Sequence, residues 1–147
     1  MELRQVRLSD PLMAPLLEGL SREYDVRYGE NDEMTVVDTT EFDPPAGLFL
    51  ALVDGDELLA GGGLRRLSPD TCEVKRMWTA DGHRRRGYAS AVLTGLEDGA
   101  RAAGYTTLLL ETGDRQPEAF ALYTARGYHP IPAYGRYPEA LAFQLTL

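Results

Sequence analysis

The stretch Glu73-Val74-Lys75-Arg76-Met77-Trp78-Thr79, followed by Arg84-Arg85-Arg86-Gly87-Tyr88-Ala89, concentrates the residues that could do chemistry. Its pattern is a strand running into a loop that opens a helix. The first N–H groups of such a helix have no intrahelical partner and lie at the positive end of its dipole, which makes an anion site. Gly87 lets the backbone approach a bulky anion with no Cβ in the way. Arginines beside it would add charge-assisted hydrogen bonds to phosphate. No Gly-Lys-Ser/Thr follows, which excludes a Walker loop, and the glycine triad of a dinucleotide fingerprint is absent. On these residues alone, phosphate binding and a merely solvated arginine-rich turn stand about level.

The elements that must position this stretch follow from periodicity. Glu2 to Leu8 reads as a short strand. Ser9 or Asp10 caps a helix with Pro11 in its first turn, and Met13, Leu16, Leu17, Leu20 and Tyr24 share one face. Tyr28 to Pro45 is acidic and turn-rich, with room for a short helix that the pattern does not place. Leu48 to Val53, Glu57 to Leu67 and Cys72 to Thr79 read as an antiparallel meander turned by Asp54-Gly55 and Ser68-Pro69-Asp70. Gly61-Gly62-Gly63 inside the second strand marks a bulge or close packing. A helix follows with Ala89, Val92, Leu93, Leu96, Ala100 and Ala103 on one face, ended by Gly104. Tyr105 to Thr112 is a strand, its Leu108-Leu109-Leu110 run suggesting burial on both faces. Pro117 opens a helix to Arg126, closed by Gly127, with Phe120 and Leu122 as packing residues. Leu141 to Leu147 alternates as the last strand. The expectation is one mixed α/β domain over residues 1–147.

Composition narrows the classes. The 147 residues are 44% hydrophobic and 26% charged, the balance of a globular domain. Cys72 is the single cysteine and His83 and His129 the two histidines, so neither an internal disulfide nor a zinc site is expected. No apolar run reaches the length of a membrane span, and the N-terminus lacks a signal-peptide layout; no membrane association and a cytoplasmic location are expected. Fifteen basic and 23 acidic residues give a net charge of −8, against a nucleic-acid partner. Residues 1–60 hold 14 acids and 4 bases, the remainder 9 and 11. Such asymmetry could meet two ligands of opposite sign, or simply keep the protein in solution.

Arg84-x-x-Gly87-x-Ala89, after a strand at the right distance, resembles the Arg/Gln-x-x-Gly-x-Gly/Ala signature of the GCN5-related N-acetyltransferase superfamily. Glu111-Thr112-Gly113 and Ala119-x-x-x-Tyr123-x-x-x-Gly127-Tyr128 resemble two further segments of it, and nearly the whole chain follows its element order. The resemblance implies an α+β fold with a twisted, mostly antiparallel central sheet, splayed central strands and flanking helices. It implies acetyl-CoA as co-substrate and no metal. Backbone groups of Met77 and Thr79 would hold pantetheine and thioester, with Trp78 beside them. Arg84, Arg85, Arg86, Gly87, Tyr88, Ala89 and Ser90 would receive the pyrophosphate. Gln116 stands where many relatives carry Asn.

An amine acceptor is mostly charged at neutral pH and must lose a proton before attacking a thioester. Glu73 occupies the strand position where several members of the superfamily carry their general base; its bland alternative is an ion pair with Lys75 or Arg76. Glu111 and the acids of 28–43 compete for the role. The departing thiolate needs a proton, and Tyr123 matches the superfamily tyrosine that supplies it, the alternative being a core tyrosine. The resemblance places Glu33, Glu111 and Tyr134 at the acceptor. The acidic stretch before Pro45 would suit a cationic small-molecule amine. The competing reading is a non-catalytic acyl-CoA-binding sensor or scaffold. A homodimer is left open by the resemblance.

Overall fold

The computed structural model describes every residue except Val37, Arg85 and 114–116; the side chains of Thr35, Val36, Pro117 and Glu118 are also outside the description. The chain runs β1 (Glu2–Gln5), α1 (Ala14–Tyr28), α2 (Glu33–Val36), β2 (Leu48–Asp54), β3 (Glu57–Ser68), β4 (Thr71–Thr79), α3 (Tyr88–Ala102), β5 (Thr107–Thr112), α4 (Pro117–Ala125), β6 (His129–Ile131) and β7 (Leu141–Thr146). Seven strands form one sheet in the order β1-β2-β3-β4-β5-β7-β6, antiparallel apart from the parallel β4–β5 pairing. This is the α+β sheet with flanking helices expected above. Among the described residues no helix is long and apolar enough to cross a membrane.

Two hydrophobic layers cover the sheet, and strand alternation sorts residues between them. Leu50 and Leu52 of β2 join Val92, Leu93, Leu96 and Ala100 of α3. Phe49, Ala51 and Val53 turn the other way, onto Met13, Leu16 and Leu20. The Asp10 carboxylate accepts from the Leu12 N–H and opens a 3-10 turn, Pro11–Met13, that leads into α1. Gly104 has φ +89° and stops α3 in the left-handed region.

The feature that shapes the site is where β4 and β5 part. Their register runs from Thr71–Thr107 to Val74–Leu110 and then ends, although both strands continue. On the other side of β4, Gly61 pairs with Trp78 and Gly63 with Lys75, so Arg76 and Met77 together face Gly62. That bulge bends the strand. A Cβ on Gly62 would meet Met77 Sδ at 2.2 Å, so the bulged side chain packs where a side chain on β3 would have been.

Some sequence expectations are corrected. β6 was not foreseen, because His129-Pro130-Ile131 is too short for a period and contains proline. Of the leucine run, Leu108 and Leu110 are buried while Leu109 is half-buried. Tyr105 lies before β5; it is buried and its hydroxyl donates to the Ala46 carbonyl at 2.6 Å. Phe120 and Leu122 are exposed rather than core residues, because α4 turns that side outward.

Gly63 faces two rings: an added Cβ would lie 2.5 Å from Phe42 Cδ1 and 2.7 Å from Phe49 Cδ2. Gly63→Ala overpacks this layer and is expected to cost about 1–3 kcal/mol. Thermal unfolding should fall by roughly 3–10 °C; an unchanged midpoint would contradict the packing described.

Candidate active site

Two cavities flank the open end of the β4–β5 cleft. The first, about 970 Å³, is lined by Met77, Trp78 and Thr79 of β4, by Arg84, and by Gly87, Tyr88, Ala89 and Ser90 at the start of α3. Gly87 has φ +79°, and no side chain caps the helix. The first backbone bond of α3 is Ala91 N–H to Gly87 O, so the amides of Tyr88, Ala89 and Ser90 precede the intrahelical ladder. Among the described residues, none beyond its chain neighbours lies within 4 Å of where a Gly87 Cβ would sit. A dipole end without a cap, opening on a cavity, fits an anionic group the size of a diphosphate.

The arginines of this turn are partly engaged. Arg84 Nη2 lies 2.9 Å from Glu23 and 3.7 Å from Asp81, although Arg84 still lines the cavity. Arg86 Nη1 turns to His83 Nδ1 at 3.4 Å, while His83 Nε2 meets Glu57 at 2.9 Å. Arg85 and Gln116 lie outside the described residues. Trp78 fills core as well as lining the cavity: it packs with the α1 layer, and its Nε1 would lie 2.1 Å from a Cβ on Gly19.

The second cavity, about 470 Å³, lies on the other side of Met77 and is lined by Glu33, Glu73, Glu111, Tyr123 and Tyr134. Met77, Glu23 and Arg27 line both cavities. Glu73 is 3% exposed. Its carboxylate accepts from Arg65 Nε at 2.9 Å and from the Tyr134 hydroxyl at 2.6 Å. The expected pairing with Lys75 or Arg76 is therefore replaced by one across β3, because Arg65 stands opposite Glu73 in the register. Tyr134 reaches Glu73 from the segment between β6 and β7. Burial, with the Glu73 charge next to it, pushes the Tyr134 hydroxyl well above the ordinary phenol value.

Glu111 accepts from the Tyr134 and Gly135 backbone amides, both at 3.2 Å, and so anchors that segment. Glu33 takes Arg136 Nη1 at 2.9 Å and the Tyr137 hydroxyl at 2.5 Å. The remaining acids of the 28–43 stretch are largely spent on the fold. Asp38 caps a 3-10 turn, Glu41 pairs with Arg65 and Asp43 with Arg7. Among the described residues, the acid of this stretch that lines the cavity, Glu33, is thus already engaged, where the composition had suggested free carboxylates.

Tyr123 is half-buried, its ring 5.6 Å from that of Tyr128 and 5.0 Å from that of Phe143. Its helix is tied to α3 through Glu97, which takes Arg126 Nη2 and the Tyr128 hydroxyl, each at 2.7 Å. Cys72 is buried on the α3 side, and burial pushes its thiol up to about 12, which disfavours the thiolate that a nucleophile would need. Among the described residues no group of three or more His, Cys, Asp or Glu could hold a metal ion.

One cavity thus ends at the start of α3 and meets a second that holds carboxylates and a tyrosine. The sequence profile of the acetyltransferase (GNAT) family matches residues 14–128. The chain belongs to that family. A relative from Bacillus subtilis (strain 168), the uncharacterized N-acetyltransferase YsnE, is 34% identical over 102 residues, covering 66% of this chain and 68% of that protein. The IAA acetyltransferase of Azospirillum brasilense is 41% identical over 78 residues, about half of each chain at 51%. Among solved structures, an aminoglycoside 6'-N-acetyltransferase complexed with coenzyme A superposes with a TM-score of 0.77 at 16% identity. That superposition covers 99% of this chain and 97% of that one, a likeness of fold. As a GNAT protein the chain is an acyltransferase.

Reasoning from sequence missed Arg76, Arg27 and Tyr24 as cavity residues and the Tyr134–Glu73 bond. The one available signal was the charge and ring content of 73–78 and 24–28; which side chains meet depends on the bulge.

The bond from Tyr137 to Glu33 favours the neutral phenol and pushes Tyr137 from 10.0 up to about 12. A raised folded value means a stabilising contribution that is whole below pH 10 and lost as pH rises through about 12. Tyr137→Phe is therefore expected to show a flatter alkaline decline of the urea midpoint over that window than the parent protein. An identical decline would show that the bond contributes nothing.

Proposed function

We propose that the protein transfers the acetyl group of acetyl-CoA to the primary amine of a small molecule, with both substrates bound together and the amine attacking directly. The observation that carries this is the meeting of the two cavities at Met77, Glu23 and Arg27. A donor and an acceptor can then face each other across the open end of the β4–β5 cleft with no need for a covalent enzyme intermediate.

The amides of Tyr88, Ala89 and Ser90, with Gly87 clearing the approach, receive the diphosphate; Arg84 and Arg86 add positive charge nearby. Backbone groups of β4 at Met77 and Thr79 on the side that β5 leaves open bind pantetheine and the thioester carbonyl, with Trp78 as the wall. Glu73 accepts the proton of the incoming ammonium, and the Arg65 and Tyr134 bonds hold its carboxylate in place. The free amine attacks the thioester carbonyl, so a C–N bond forms and the C–S bond breaks. Tyr123 gives its hydroxyl proton to the thiolate. General acid and base contributions of this kind are each worth roughly 10²–10⁴-fold.

A thiol-release assay across a panel of amines tests the reading. Turnover with acetyl-CoA is expected for at least one small primary amine, and silence despite acetyl-CoA binding would favour a binding module. Tyr123→Phe should lower kcat by about 10²-fold while acetyl-CoA affinity is kept; full kcat would remove Tyr123 from the chemistry. Glu73→Gln removes the proposed proton acceptor and should lower kcat by about 10²-fold while acetyl-CoA affinity is kept; full kcat would exclude Glu73 as the base.

A further inference from the structure

The acceptor cavity has an unexpected electrostatic balance. Each of its four carboxylates is already matched: Glu23 by Arg84, Glu33 by Arg136 and Tyr137, Glu73 by Arg65 and Tyr134, and Glu111 by two backbone amides. Three cations of the same lining, Arg27, Lys75 and Arg76, have no carboxylate within ion-pair distance among the described residues. Positive charge is left over in a chain whose net charge is −8.

Arg76 is the one that should not be there unless it is used. It is only 6% exposed, and its guanidinium lies against the Tyr24 hydroxyl. A neutral phenol does not compensate a buried cation, and an uncompensated buried charge is costly. Arg76 is also the single non-glycine residue with positive φ among the described residues, at +63°. Glycine would occupy that bulge position without strain, whereas an arginine is strained there. Strained, under-compensated residues gather at ligand sites, where the strain is offset by what the side chain binds. Arg27 borders the same cavity and stacks over the Tyr28 ring at 5.9 Å, and Tyr28 stacks on Tyr137 at 4.5 Å.

We infer that the acceptor is an amine that also bears a carboxylate, of the amino-acid type, and that Arg76 receives that carboxylate with Arg27 and Lys75 completing the positive wall. The inference rests on the acyl-transfer reading for its amine and adds the acceptor's charge, opposite in sign to that suggested by the acidic stretch before Pro45. A guanidinium offers two parallel N–H donors to a carboxylate, which fixes the orientation of the molecule as well as its charge. The amine is then left free to point towards Glu73. The tyrosines around the cavity favour a flat or apolar side chain on the same molecule.

The test pairs apolar and aromatic amino acids with their primary amides as acceptors. The amide's amine is less basic and the readier nucleophile at neutral pH, so a preference for the acid cannot come from amine reactivity. The parent protein should favour the acid by about tenfold or more in kcat/KM, mostly through KM, the scale expected of a charge-assisted contact. In Arg76→Gln the acid-to-amide ratio should fall towards one, and Arg76→Lys should restore part of it. A ratio within one variant is unaffected by loss of folded protein. A parent ratio at or below one, or an Arg76→Gln ratio equal to the parent's, would overturn the inference. Calorimetry with N-acetylphenylalanine and N-acetylphenylalaninamide reads the same contact without turnover, the acid being expected to bind about tenfold tighter. If no amine is acetylated the transfer reading fails, and equal calorimetric affinities would separately defeat the carboxylate assignment.

Discussion

The β4–β5 ladder stops after Val74 and Leu110, and the site depends on that interruption. A continuous parallel pair would spend the backbone groups of residues 75–79 on β5 and leave no gap between the strands. Two local causes hold the strands apart. The bulge at Arg76 and Met77 bends β4 away from the common register. Gly62 lets that bent strand lie close, since a side chain there would strike Met77, while Gly61 and Gly63 make room for Leu16 and Phe42 on the opposite face. Backbone polar groups freed in this manner require partners, and a bound molecule can provide them.

The same bulge brings chemistry together. Glu73, before it, faces the acceptor cavity beside Arg65, and Arg76, within it, turns onto Tyr24 and into the same cavity. Met77 stands between the two cavities. The loop before β7 then closes over the acceptor side through bonds from Tyr134 to Glu73 and from Tyr137 to Glu33. These bonds also occupy both carboxylates as acceptors. A protein that is strongly acidic overall thus presents a cavity in which, among the described residues, the charged groups without an ion-pair or hydrogen-bond match are basic, which net charge could not reveal.

Much of the fold was legible because its signals are local. Asp54-Gly55, the apolar run of β2, the alternation of β7 and the apolar stripe of α3 each follow from turn chemistry or periodicity. Gly87 was legible as a place where the backbone meets a ligand with no Cβ in the way; its left-handed φ of +79° was not. Side-chain partners across the sheet were not. Glu73 meets Arg65 through strand register and Tyr134 through a loop 61 residues later, and neither distance is encoded near Glu73. The exposed ring of Phe120 was misjudged because α4 has apolar residues on more than one side and only packing selects among them.

The central claim is that the start of α3 and the free edge of β4 form one binding surface for acetyl-CoA. Amide chemical-shift mapping tests it most directly. On titration with acetyl-CoA, the largest shifts are expected at Gly87, Tyr88, Ala89 and Ser90 and at Met77 to Thr79, with β1 and β6 unaffected. Shifts confined to other faces of the sheet, or none at saturating ligand, would contradict the account.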